Sequence, residues 1–196
     1  MFSISFCSAG CGRPAITGSA LCAVHSADSK ADSKRLSEFM TDQNSVKDIC
    51  VQGVYFKSID FSKRRFYGCS FSNAVFTKCN FSAVIMRMCF FDFASFNSCD
   101  FTGADFQYLS FAGTSINNCS FEGSELISIN FGGSRISESN FNRTNLYNSR
   151  FISAVIDHTN FIDSNLKRTY FIESSRKEIS FKSSNTAEAI FDIKRD

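Results

Sequence analysis

From Phe56 the chain repeats an apolar residue every five positions, without insertion, as far as Phe171. Phe fills these positions except at Met86, Ile116, Leu126, Ile136, Leu146, Ile156 and Leu166. Two residues before each centre the side chain is usually small: Cys69, Ala74, Cys79, Cys89 and Ala94 open the series, and Ser164 and Thr169 close it. Asn, Asp, Ser, Thr, Gly and Lys occupy most of the remaining slots. A period of five is neither the 3.6 of a helix nor the 2 of a simple strand. It describes a chain that turns a corner every five residues and closes a square coil every twenty. Each coil then buries four centres and four small residues, and strands of successive coils lie ~4.8 Å apart. Six such coils make a rod of about 29 Å by the same spacing. Centres twenty apart fall in columns. One column runs Phe61, Phe81, Phe101, Phe121, Phe141, Phe161; another runs Phe71, Phe91, Phe111, Phe131, Phe151, Phe171. A coil buries its surface only against its neighbours, so both ends need caps.

"SNAVFTKCNF" and "FTGADFQYLSF" carry a central Phe or Leu, a small residue two before it and a polar residue just before it. In this the chain resembles the pentapeptide-repeat family over roughly residues 51 to 181. The resemblance implies an all-β fold, a right-handed quadrilateral parallel β-helix. It also brings one functional expectation: some members bind type II topoisomerases such as gyrase as mimics of duplex DNA. The near-zero net charge of +2 argues against a bulk acidic mimic, and equally against a protein that coats nucleic acid. Charge does vary along the rod. Lys57, Lys63, Arg64, Arg65, Lys78 and Arg87 crowd the first coils, and Asp92, Asp100, Asp105, Glu122 and Glu125 follow before Arg135 restores positive charge.

Outside the period, Cys7, Cys11, Cys22 and His25 spell C-x3-C-x10-C-x2-H in "CSAGCGRPAITGSALCAVH". Three thiolates and an imidazole are a tetrahedral zinc set, and four protein ligands make a closed, structural site. The stretch is similar to short N-terminal zinc modules of bacterial and phage proteins. Nucleic-acid binding through this module is a weaker reading, because Arg13, Lys30, Lys34 and Arg35 are balanced by Asp28, Asp32 and Glu38. Cys69, Cys79, Cys89, Cys99 and Cys119 sit in the small inward slot and read as small buried hydrophobes. Cys50 has no assigned role. Nine cysteines and a start, "MFSISFC", without a basic leader predict a reducing, cytoplasmic setting.

The expected organisation is a zinc-binding module and connector over 1–45, the β-helix over 46–183, and a terminal segment over 184–196. A helix is expected to begin at Leu21 and loosen into the connector, whose Leu36, Phe39 and Met40 either cap the first coil or fold onto the rod's side. Asn185 and Glu188 have capping-box spacing. They predict a short C-terminal helix, in preference to a seventh coil, with Ile190, Phe191 and Ile193 as its apolar side. That helix would cap the rod or pair two copies. No converging carboxylates, no phosphate loop and no nucleophile beside a base appear, and His158 falls on the surface, so no catalysis is expected. In "IMRMCFFDF" the frame points Ile85, Met88, Phe90 and Phe93 outward, with Tyr108 one coil on from Met88. A contiguous apolar patch on a polar rod marks an interface. The chain thus reads as a non-catalytic scaffold for a protein partner, with no membrane segment.

Overall fold

The structure is a computed structural model and describes residues 5–192. The chain winds into a right-handed quadrilateral β-helix of about seven turns. Its first face carries strands β1 (Ser45–Lys47), β3 (Arg65–Tyr67), β5 (Ile85–Arg87), β7 (Asp105–Gln107) and β9 (Glu125–Ile127), parallel and in that spatial order. The third face carries β2 (Tyr55–Lys57), β4 (Val75–Thr77), β6 (Ser95–Asn97), β8 (Ser115–Asn117), β10 (Arg135–Ser137), β11 (Val155–Asp157) and β12 (Ser175–Lys177). Register is always twenty residues: Phe66 pairs with Met86, Phe76 with Phe96, Ile136 with Ile156. The second and fourth faces are joined by single bridges, from Cys50–Ser70 to Tyr170–Ile190 and from Asp60–Asn80 to Asn160–Ser180.

The core is the stack of centres. Phe81, Phe101 and Phe121 lie nearly parallel, with ring centroids 4.9 and 4.5 Å apart. The stack extends further than the sequence frame: Val46 and Val51 begin it, and Phe191 still stacks on Phe171 at 5.3 Å. The small slot has a second duty besides size. Its side chain donates to a carbonyl of the preceding coil: Cys69 Sγ to Val46 O (3.7 Å), Ser124 Oγ to Phe101 O (2.7 Å), Ser164 Oγ to Phe141 O (2.7 Å). Cys and Ser both serve at such positions because both are small and both carry one donor. The Cys119 thiol beside it, together with burial, pushes the Cys99 thiol up to about 12, in keeping with a neutral packing residue.

Each corner is made two residues after a centre, where the backbone enters the left-handed region. Non-glycine residues take it from Asp48 to Ser183, with φ between 45° and 62°. This slot holds no Val, Ile or Thr anywhere between those two residues, because a branched Cβ meets the following carbonyl there. Ala83 (φ 53°) is exposed and tests the point. Ala83→Val is expected to cost about 1–2 kcal/mol, whereas Ala83→Gly should leave the urea midpoint unchanged or raise it. Equal midpoints for all three would contradict the corner geometry.

Both ends are closed. At the near end, helix α1 (Ser29–Asp42) lays Leu36 and Met40, both fully buried, into the same core cluster as Val46 and Phe56. Phe39 stays 40% exposed. The helix starts later than Leu21. Cys22 O accepts from the amides of His25 and Ser26, which closes a single turn, and Asp28 then caps a fresh start by accepting from Lys30 N and Ala31 N. At the far end the expected C-terminal helix is one 3-10 turn, Thr186–Glu188. The chain then returns to the coil, with Ile190 bridged to Tyr170. Ile193 lies outside the described residues. Arg176, which interrupts the apolar frame, is part of this closure. Its guanidinium lies over the Phe191 ring at 5.1 Å and donates to Phe171 O (2.9 Å) and Ser174 Oγ (3.1 Å). No helix among the described residues is long and apolar enough to cross a membrane.

Candidate metal centre and interaction surface

Two local turns build the Cys/His cluster. Phe6 and Pro14 pair antiparallel, and between them Gly10 N donates to Cys7 O with Gly10 and Gly12 both at φ 72°. Only glycine takes such a conformation cheaply twice in three residues, and the knuckle brings Cys7 and Cys11 to one point. The Cys22–Ser26 turn delivers the other pair. Cys7 Sγ lies 3.4 Å from His25 Nδ1, Cys22 Sγ 3.7 Å from the same nitrogen, and Cys11 Sγ 3.7 Å from Cys22 Sγ. All four ligand atoms lie within 4.8 Å of one another. A zinc tetrahedron with Zn–S bonds of about 2.3 Å has S–S edges of about 3.8 Å, so the cluster fits such an ion. Burial opposes ionisation of Cys22. The amides of His25 and Val24 and the neighbouring Cys7 and Cys11 thiols nevertheless bring its thiol down to about 6.

The cluster is fastened to the mouth of the coil. Ile16 is buried in the rod's core cluster, Thr17 N donates to Cys50 O, and Cys50 N donates to Thr17 Oγ1 (2.8 Å). Cys50 therefore docks the module through its backbone. Arg35 of α1 reaches back to Thr17 O (2.8 Å) and pairs with Asp32 (3.2 Å). Gly18 lies under this arm: a Cβ there would come within 2.5 Å of the guanidinium.

On the rod's side, Met88, Phe93 and Tyr108 are exposed by 58%, 67% and 66%, and Phe90 by 40%. Ile85 is half-buried on β5, between Arg65 and Asp105 of the adjoining strands. Met88, Phe93 and Tyr108 all occupy left-handed corner slots. The Phe93 ring lies against Gly113, where a Cβ would come within 2.6 Å of it. The connector does not cover these residues, since Leu36 and Met40 are in the mouth of the coil. Asp105 is paired. Its Oδ2 accepts from Arg87 at 2.6 Å, a pairing across coils that residue order alone does not reveal. Three other acidic residues of the middle coils also have partners across coils: Glu122 with Arg143 and Asn140, Glu125 with Asn145, Asp92 with Ser110. His158 is half-exposed, between Asp157 (2.9 Å) and Glu178 (2.5 Å).

A square solenoid with one five-residue repeat per side defines the class. The family model for pentapeptide repeats matches residues 55–91, 89–123 and 129–168, and the chain belongs to that family. Among solved structures it is similar to HetL, a pentapeptide repeat protein involved in heterocyst differentiation regulation from the cyanobacterium Nostoc sp. strain PCC 7120. That match has 10% identity, covers 76% of this chain and 92% of HetL, and has a TM-score of 0.39. It is also similar to QnrB1, a plasmid-mediated fluoroquinolone resistance protein, with 17% identity, 69% and 81% coverage and a TM-score of 0.29. A third is Rfr23 from the cyanobacterium Cyanothece 51142, with 10% identity, 78% and 93% coverage and a TM-score of 0.32. No curated protein sequence matches the chain.

Proposed function

We propose that the protein is a non-catalytic scaffold that binds a protein partner through Ile85, Met88, Phe90, Phe93 and Tyr108, with its near end held by a structural zinc ion on Cys7, Cys11, Cys22 and His25. One observation carries the partner reading. Met88, Phe93 and Tyr108 place large apolar side chains, well exposed, in corner slots where Gly, Asn or Ser costs less. Phe93 also touches Gly113, yet it remains 67% exposed, and aromatic residues and Met are the types enriched at interfaces. A rigid grid of side chains also binds without the cost of ordering a loop. The coil interior is filled by its own side chains, which leaves recognition to the outer faces. Mimicry of DNA toward a topoisomerase is the poorer reading, because several carboxylates of the middle coils are bound to neighbours of this chain.

The test is Phe90→Ser combined with Phe93→Ser. The unfolding midpoint should stay within about 0.5 kcal/mol of the parent, since neither ring belongs to the core. Retrieval of the partner from cells of the native host should fall to background. Retention of the same partner at full yield would exclude the patch. A gyrase supercoiling assay run on the parent protein separates the topoisomerase reading, which requires inhibition or protection.

A further inference from the structure

The corner between the first and second faces differs from the other three. Its outward slots, from Tyr67 in the second coil to Tyr170 in the seventh, contain no Asp or Glu. Each other corner has carboxylates in the same coils: Asp92 and Glu173, Asp100 and Glu138, Glu122 and Asp163. The carboxylate-free corner instead presents Met88, Phe90 and Tyr108, then Tyr147, Arg150 and Arg168. Arg168 lies over the Tyr147 ring at 5.9 Å and donates to its hydroxyl at 3.2 Å. Arg150 is exposed and makes no ion pair among the described residues.

Beside Tyr108 the corner has a shallow hollow of about 240 Å³, lined by Tyr108, Ser128, Ile129, Asn130, Asn148 and Arg150. Asn130 gives its side-chain carbonyl to Gly132 N (3.0 Å), and Ser128 Oγ accepts from Asn148 Nδ2 (3.0 Å). The donors left over are the Asn130 amide, the Ser128 and Tyr108 hydroxyls and the guanidinium of Arg150. A hollow with donors, one unpaired guanidinium and no carboxylate selects an anionic acceptor.

We propose that this corner recognises a protein segment carrying a carboxylate next to an apolar side chain: the carboxylate enters the hollow at Arg150, and the apolar group packs on Met88 and Phe90. The proposal rests on the protein-binding reading above and adds the partner's chemistry. Phe90 and Arg150 stand three coils apart, ~14 Å at the strand spacing, which an extended segment covers in about four residues. Single-stranded nucleic acid would also use aromatic faces and arginine, but it needs a run of cations along the backbone. Here Arg87 is neutralised by Asp105 and Lys167 by Glu188.

The experiment places a photoreactive benzoylphenylalanine at Tyr108 of the full-length protein in cells of the native host. A control carries it at Asn118, the same exposed corner slot on another edge. Adducts are sequenced by mass spectrometry. The expected result is an adduct at 108 and not at 118, on a protein segment with Asp or Glu within about four residues of an apolar side chain. Arg150→Glu should cut its yield at least about tenfold and Arg150→Lys much less. An adduct on a segment without carboxylates, or a yield indifferent to Arg150→Glu, overturns this inference and leaves the protein-binding reading standing. Adducts only on nucleic acid or on this chain, equal adducts at 118, or none at all, overturn both.

Discussion

Phe101→Ala is expected to cost about 3–5 kcal/mol, at the upper end for a single buried side chain. Phe101 is fully buried. Its ring stacks between Phe81 and Phe121 and meets the edges of Phe96 at 5.3 Å and Phe106 at 5.9 Å. The neighbours cannot collapse into the space, because each is held in its own column by the coil register. The lost contacts are therefore not replaced. Phe101→Leu should cost much less, about 1–1.5 kcal/mol. Leu already fills centres such as Leu126 and Leu146, but this column is otherwise all Phe. Because a solenoid is stabilised by nearest-neighbour interfaces, the Ala variant should also broaden the denaturation curve as the coils on either side uncouple. Chemical denaturation followed by far-UV circular dichroism measures both effects. Equal, negligible losses for Ala and Leu would contradict the five-residue frame.

Loss of the metal from the proposed zinc centre should also have a large effect. Protein purified without chelators is expected to carry about one equivalent of zinc, and Cys22→Ser to carry none. The cluster has little else to fold on: Cys7, Ala15, Ile16 and Cys22 are its buried apolar residues. In modules this small, the free energy of binding zinc, about 10–16 kcal/mol, is folding free energy. Hydrogen exchange in Cys22→Ser should therefore show residues 5–28 unprotected while the coils beyond Phe61 keep their protection. The loss should not stop at the module. Ile16 lies in the rod's core cluster, and withdrawing it exposes the mouth of the coil at a cost of about 1.5–3 kcal/mol. A zinc-free preparation with residues 5–28 fully protected would sink the assignment.

Much of this molecule is legible without coordinates. A square coil has one inward slot for a large apolar group and one for a small group per side, so Phe at every fifth position and Cys, Ala or Ser two before it define the columns. The five coil cysteines follow from the same rule, and so does the outward placement of Met88, Phe93 and Tyr108. The four side chains of the Cys/His cluster have a spacing that suits one metal ion, and the structure brings all four together. The absence of Val, Ile and Thr two residues after each centre is a further mark in the sequence, that of the left-handed corners.

What the sequence by itself determined, then, is whatever repeats, because a repeated slot meets the same neighbours in each coil and its residue type reports its surroundings. What only the tertiary structure decided are the single events at the ends and between coils. Residues 185–188 have the local signal of a helix start, yet the chain stays in the coil, because Phe191 gains the ring of Phe171 and Ile190 gains a backbone partner in Tyr170. Residues 21–28 could extend a helix, yet the Cys22 carbonyl ends its turn at Ser26 and Asp28 opens another. Arg87 could serve any nearby acid, and the twenty-residue register hands it Asp105. In each case the local sequence left more than one arrangement open, and the surface that the residues pack against chose between them.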